Sequence, residues 1–410
     1  MVELDPNAAK EVDASMDTVI ATLPNAPSHA ATARLRILVL NERDPAHPKA
    51  GGAETHVFEL FSRLAARGHE IVQYSAGFEG GETKTVQNGI QIERKGGLAA
   101  YYASVIPRLR RARAEKEFDL VVECLNKVPF YSPLYAGIPV LTLCHHLFGE
   151  IAFQQVSFPI ATGVFLAERG LPWAYRKSLF LAISESSRDD LIRRGIGEKH
   201  ILVSHPGIDR PVNADGGIRQ AEIEGQRSMR ITYVGRLERY KRVDILLQAA
   251  SALIEEYPDL SVCIIGRGPE RGRLEVLAEK LGLSKRTEFT GFISNAERDA
   301  LLADSRACIF PSEKEGWGLT VIEANALGTP VVARNAEGLR DSVRHQETGF
   351  LIPSDNPADY ARALARLLED NESVHAMRRE AVLWSERFDW ERATDDLEGL
   401  IAKNLAAAQS

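Results

Sequence analysis

The sequence predicts an α/β architecture of two doubly wound parallel-sheet domains in tandem, and three observations carry that expectation. Apolar runs of strand length alternate with helical periodicity along most of the chain, the alternation that builds parallel sheets covered on both faces. The series breaks after Pro206-Gly207-Ile208-Asp209 and then starts afresh. At 410 residues the chain is also too long for one ordinary core, and two domains of roughly 180 residues each suit it better.

The first half opens on Arg36-Ile37-Leu38-Val39-Leu40, an apolar run of strand length. A polar loop leads through Gly51-Gly52-Ala53-Glu54 to a helix over His56 to Arg67, in which Val57, Leu60, Phe61 and Leu64 recur at spacings of three and four. Gly68 stands where a helix is commonly stopped. Strands are expected from Glu70 to Tyr74, Leu120 to Glu123, Pro139 to Leu143, Leu179 to Ile183 and Ile201 to Ser204. A helix from Ser187 to Arg194 follows a serine N-cap signal. Residues 210–229 are polar and carry Pro211, Gly216, Gly217 and Gly225, which reads as a linker. The second series has strands from Ile231 to Val234, Ser261 to Ile265, Thr287 to Thr290, Ala307 to Phe310 and Pro330 to Ala333. The stretch from Trp384 to Leu405 is helical by pattern and has no strand to pair with. The expected organisation is a disordered extension at 1–33, a first domain at 34–209, a second at 210–385 and a final helix at 386–410.

Composition narrows the function. Apolar residues make up 44% and charged residues 26% of the chain, the values of a soluble globular protein. The first 210 residues carry 24 basic and 24 acidic side chains, so the whole net charge of −7 falls in the remainder. Neither half is basic enough for nucleic acid to be an expected partner. Cys124, Cys144, Cys263 and Cys308 lie in or at the end of apolar, strand-like runs without metal-ligand spacing. They read as small buried hydrophobes of a reducing compartment. No run of about 18 apolar residues is present to span a membrane, and the acidic N-terminus is unlike a signal peptide. A cytoplasmic location is expected.

Ligands of open parallel sheets bind beyond the carboxyl ends of the strands, and four clusters stand there. The most informative runs from Phe310 to Asn325, with Glu315, then Gly316-Trp317-Gly318 at the start of a helix that carries Leu319, Thr320 and Glu323. Glycines at a helix start let backbone N–H groups approach an anion, and the helix dipole adds to the attraction. One of the two carboxylates can then face a sugar while the other reaches a ribose diol. For two acids at this spacing alone, a glycine-punctuated turn with solvated carboxylates is the better reading. A second cluster, Gly235-Arg236-Leu237 with Lys241, follows a strand and opens a helix. Cations there oppose the helix dipole, and a diphosphate held between a planar guanidinium and an ammonium supplies a reason for them. The Gly51-Gly52-Ala53-Glu54 loop and the Gly266-Arg267-Gly268-Pro269 loop lack the spacing of a dinucleotide fingerprint, and each reads equally as a plain turn. Fourth, Cys144-His145-His146 ends an apolar strand; a histidine there points into a cleft, or serves a structural role. Adjacent histidines rarely ligate one ion, and no carboxylate or cysteine pattern completes a metal set.

Together these residues resemble the retaining glycosyltransferases of the GT-B fold, two Rossmann-like domains facing each other across a cleft, and specifically glycosyltransferase family four. Glu315 and Glu323 match that family's Glu-x₇-Glu motif, and Gly235-Arg236-Leu237 with Lys241 its diphosphate-binding turn. Gly51-Gly52-x-Glu54, Pro206-Gly207-Ile208-Asp209 and Thr290-Gly291 match further landmarks, and the likeness covers about residues 35–395. The resemblance implies that Arg236 and Lys241 neutralise the donor diphosphate, helped by backbone amides from Gly316, Trp317 and Gly318 to Leu319 and Thr320 and by Gly52. It implies that Glu323 holds the ribose and that Glu315 positions the transferred sugar. His145 bonds that sugar from the first domain, while Gly266 and Gly268 shape the floor near the base. It further implies a UDP- or GDP-sugar as donor, a hydroxyl acceptor taken by the first domain and front-face transfer of a hexose with retention. The final helix is implied to cross back to the first domain.

No Asp-x-Asp motif follows a strand, so the expected cofactor and metal complement is none, Arg236, Lys241 and helix N–H groups carrying the leaving-group charge. Tyr101 to Lys116 combines aromatics and aliphatics with Arg108, Arg110, Arg111, Arg113 and Lys116, which reads as an anionic-membrane helix or as an ordinary surface helix. Residues 155–183 are apolar and irregular, suited to an acceptor tunnel or to core. Two other classes stay open: a nucleotide-sugar epimerase or phosphorylase on the same scaffold, and a catalytically silent nucleotide-sugar-binding module. The second has no need to keep all of Arg236, Lys241, Glu315 and Glu323.

Overall fold

The computed structural model describes residues 34–125, 128–147, 149, 158–209, 225–369 and 371–409. The expected extension at 1–33 and most of the linker lie outside the described residues. From Arg36 onward the chain packs as one compact unit.

The first half runs β1 (Arg36–Leu40), α1 (Gly52–Ala66), β2 (Glu70–Ser75), β3 (Lys84–Gln87), β4 (Ile90–Arg94), α2 (Leu98–Ala114), β5 (Leu120–Leu125), β6 (Val140–Cys144), α3 (Phe158–Arg169), β7 (Leu179–Ala182), α4 (Glu185–Arg193) and β8 (Ile201–Val203). Its sheet has the order β3-β4-β2-β1-β5-β6-β7-β8. The ladders are parallel except for the β3–β4 hairpin. β5 and β6 are buried at every position, the mark of strands covered on both faces.

The second half runs β9 (Ser228–Val234), α5 (Val243–Ser251), β10 (Ser261–Ile265), α6 (Arg271–Lys280), β11 (Thr287–Gly291), α7 (Asn295–Ala303), β12 (Ser305–Phe310), α8 (Leu319–Ala326), β13 (Val331–Arg334), β14 (Gly349–Ile352), α9 (Pro357–Leu368), α10 (Glu372–Ser385) and α11 (Trp390–Gln409). Its sheet is wholly parallel in the order β11-β10-β9-β12-β13-β14. In each sheet the order reverses beside the first strand, at β1/β5 and at β9/β12. These reversals are the topological switch points, where loops diverge and leave a crevice.

Three features depart from the pattern reading. The β3–β4 hairpin and β14 had not been expected. The hairpin turns on Asn88-Gly89, with φ of 45° and 81°, the left-handed pair a two-residue turn demands. Helix α2 buries Tyr101, Val105, Leu109 and Ala112 against its own sheet. Arg108 bonds Glu117 at 2.7 Å and approaches Glu93 at 3.4 Å, and Arg111 bonds Glu115 at 2.9 Å. The main apolar stripe of that helix therefore belongs to the core, while its outward face sets exposed Leu98 and Ile106 beside Arg110, Arg111 and Arg113.

Helix α11 lies on the first half although it follows the second. Trp390, Leu397, Leu400 and Ile401 are buried, Arg67 of the α1 end reaches Glu391, Asp395 and Glu398 at 2.7 Å each, and Asn404 donates to the Val140 carbonyl at 2.9 Å. All four cysteines are buried free thiols.

Candidate active site

The second sheet's switch point collects the charged residues. Gly235-Arg236 leaves the end of β9, and a one-turn helix, Arg239–Lys241, brings Lys241 round. Beside it β12 ends at Phe310, and the loop after it carries Glu313, Lys314 and Glu315. Backbone bonds fix the two loops together: Glu313 N–H donates to the Tyr240 carbonyl at 2.9 Å, and Glu315 N–H to Glu337 at 3.0 Å. Lys241 Nζ then donates to Glu315 Oε1 at 2.5 Å. Burial works against the Lys241 ammonium, but Glu315 and Tyr240 outweigh it and hold its pKa above the ordinary lysine value. Arg236 stays exposed, with its guanidinium 3.0 Å from the Tyr240 hydroxyl.

Helix α8 starts from Gly318, whose φ of 100° turns the chain into the helix, leaving Leu319 and Thr320 as its first residues. Glu323, one turn on, receives Arg298 of α7 on Oε1 at 3.1 Å. Its Oε2 is buried with no hydrogen-bond partner among the described residues. Burial raises its pKa, with Arg298 opposing. A carboxylate oxygen in that position costs free energy unless a donor arrives, and a vicinal diol is a pair of donors. Trp317 packs with its ring centroid 4.3 Å from that of His205, the planes tilted by 35°, and edge-on to Phe388. Its contribution to an anion is therefore confined to its backbone.

The Gly266–Gly268 loop is packed backbone to backbone against 235–237. Gly235 N–H donates to Ile265 and Leu237 N–H to Arg267, and a Cβ on Gly266 would stand 1.9 Å from the Gly235 carbonyl. These glycines are needed because the two loops touch there backbone to backbone, a reason distinct from any dinucleotide fingerprint.

The first half meets this surface directly. A Cβ on Gly52 would lie 3.2 Å from Leu319, and one on Gly316 would lie 2.9 Å from the His145 carbonyl. Ser184 donates to the Gly316 carbonyl at 2.8 Å and Ser186 N–H to Asp341 at 3.0 Å. Arg193 reaches Glu337 at 2.7 Å, and Lys314 reaches both Glu337 at 2.8 Å and Asp190 at 3.8 Å. Glu54 caps α1 through Gly51 N–H at 2.8 Å, which accounts for the acid in that motif.

The two histidines separate. His145 is buried, with Nε2 3.1 Å from His56 Nδ1, and burial holds its pKa down at about 4. His146 is pushed to about 3 by burial, with Lys314, His145, Lys241 and Arg236 adding repulsion. His146 therefore feels the cations of the second half, whereas His145 is engaged with its own half. His56, Lys314 and Arg298 escaped sequence reasoning; on paper His56 is one polar residue in a helix stripe, and the other two are ordinary surface cations.

Two sheets whose crevices adjoin, with cations and carboxylates gathered at one switch point, define a two-domain, doubly wound α/β fold with a charged crevice. Residues 50–210 match the family model of glycosyltransferase family 4, and residues 218–384 that of glycosyl transferases group 1. The chain belongs to glycosyltransferase family four and has the GT-B fold. A D-inositol 3-phosphate glycosyltransferase of Corynebacterium urealyticum is 37% identical over 48% of this chain and 50% of its own. In that alignment the chain thus spans half the length of its relative. One from Salinispora tropica is 27% identical over 90% of this chain and 84% of its own. Among solved structures, sucrose-phosphate synthase of Thermosynechococcus elongatus superposes with a TM-score of 0.74 at 20% identity, covering 91% of this chain and all (100%) of its own. Anabaena HepE in complex with UDP-glucose gives 0.70 at 20% identity over 90% and 100%. Among the described residues no helix is long and apolar enough to cross a membrane.

Proposed function

We propose that the protein transfers a hexose with retention from a nucleoside diphosphate sugar to a hydroxyl acceptor. The observation that carries this is the switch-point constellation: a Lys241–Glu315 pair, exposed Arg236, and Glu323 with one oxygen buried and unpartnered. In this reading Arg236, Lys241 and the first N–H groups of α8 take the diphosphate, Glu323 takes the ribose diol, and Glu315 orients the sugar.

The barrier lies in the charge that grows on the β-phosphate as the anomeric C–O bond breaks. Donors aimed there beforehand, in a cleft that excludes water, lower it, so no metal is required. The acceptor oxygen bonds to the anomeric carbon on the same face as the diphosphate leaves, and its proton passes to the departing phosphate oxygen. Glu315 is a poor nucleophile for a double displacement because Lys241 already holds it, which favours front-face transfer. His145 and His146, both held neutral by burial, are the histidines able to bond sugar hydroxyls in this reading. A UDP-sugar is the first donor to try, since HepE was solved with one. A phosphorylated polyol is the first acceptor, since the curated relatives are named for D-inositol 3-phosphate.

The test is a melting-temperature screen across nucleoside diphosphates and their sugars, followed by turnover measured as nucleoside diphosphate released. Release should require acceptor and persist in EDTA. Glu315→Gln should slow it severely, and Arg236→Ala should raise the donor KM and lower kcat. Wild-type turnover in both variants would overturn the assignment.

A further inference from the structure

The outward face of α3 and of the turn after it is built of residues unsuited to water. Phe158, Pro159, Gly163, Leu166 and Arg169 are exposed along the helix, and Phe158 is 74%, Leu166 57% and Trp173 66% accessible. A surface helix ordinarily turns its apolar residues inward and its polar ones out. Here the one acid between Phe158 and Lys177, Glu168, is the buried member. It receives Arg194 at 2.8 Å and Gly149 N–H at 3.0 Å. The exposed charges of the same stretch are Arg169, Arg176 and Lys177, all positive.

We infer that this face rests on an anionic lipid surface, with Phe158, Leu166 and Trp173 entering the interfacial layer and the three cations meeting lipid headgroups. Apolar anchors ringed by cations, without an acid among them, are what such a surface selects. A second copy of the chain fits poorly, because a twofold contact sets the patch against itself and would bring like charges together. Helix α2 is the weaker candidate for such a contact, since its aromatics are turned into the core and Leu98 and Ile106, 44% and 42% accessible, are less exposed than Phe158, Leu166 and Trp173. The inference does not depend on the transfer reaction. It adds a location for it, because α3 follows β6, whose end leads into His145 and His146.

The test uses the full chain with vesicles of phosphatidylcholine, with and without phosphatidylglycerol. Trp317, Trp384 and Trp390 are buried, so a change of tryptophan emission on binding reports Trp173. The expected results are co-sedimentation with phosphatidylglycerol vesicles at low salt and a blue shift that Trp173→Phe abolishes. Each of Arg169→Gln, Arg176→Gln and Lys177→Gln should weaken partitioning about fivefold. The double variant Leu166→Glu/Trp173→Glu should abolish it while keeping the melting temperature and nucleotide binding of the parent. Failure to co-sediment, or binding that survives the double variant, would overturn the inference. So would a concentration-dependent doubling of mass that the double variant removes, which would make the patch a self-association surface.

Discussion

Lys241 and Glu315 form an ion pair that is only partly shielded from water, and each is poorly placed without the other. Lys241→Met should leave Glu315 without this cation and remove one of the charges that the proposed reaction sets against the leaving group. The loss of one such preorganised charge is expected to lower kcat by about 10²–10³, with a smaller change in melting temperature, read by steady-state kinetics beside a thermal scan. The histidine pair makes a different prediction. His145 is held neutral with a pKa of about 4, and His56 well below its usual value, in both cases mainly by burial. Between pH of about 6.5 and about 4 the unfolded chain takes up protons that the folded one refuses, so stability falls as pH falls across that window. For His145 alone the loss is on the order of 3 kcal/mol. Melting temperature against pH should show this decline, and it should be shallower in His145→Asn; an unchanged slope would rule out the buried neutral imidazole as its source.

At the scale of elements, the site is a set of loops held by each other's backbones. Gly338 has φ of 80°, and a Cβ there would stand 2.4 Å from the Glu315 carbonyl. Gly338→Ala should therefore displace the Glu315 loop, costing about 2 kcal/mol of stability and reducing turnover by at least about tenfold. A variant that keeps parental activity would show that the loop's position is not what the rate depends on. The strands with long apolar runs were legible in the residues because burial on both faces leaves no alternative composition. The β3–β4 hairpin was missed although Asn88-Gly89 marks its turn, because its strands alternate and are short. β14 is four residues long and carries no such signal.

At the scale of the molecule, the two halves are joined by side chains that come from opposite sides of the cleft. Lys314 bridges Asp190 of the first half and Glu337 of the second, and Arg193 reaches the same Glu337. If closure is what brings Gly52 and His146 to the donor loops, Lys314→Met should raise the donor KM by about tenfold with little change in kcat. Coupling of that size is ordinary for a domain-closing contact. Small-angle scattering should show a larger radius of gyration for the variant. An unaltered KM would remove the bridge from any part in donor binding.

That Arg236, Lys241, Glu315 and Glu323 stand near one crevice was legible because each sits at a short spacing from a strand end or a helix start, whereas the roles proposed for them rest on the family resemblance. The doubly wound halves were legible for the same local reason. The pairing of His56 with His145, the Arg298 support of Glu323 and the Lys314 bridge came only with the tertiary structure. Each joins residues far apart in the chain, and no spacing along a sequence records a contact that two separate elements make on meeting.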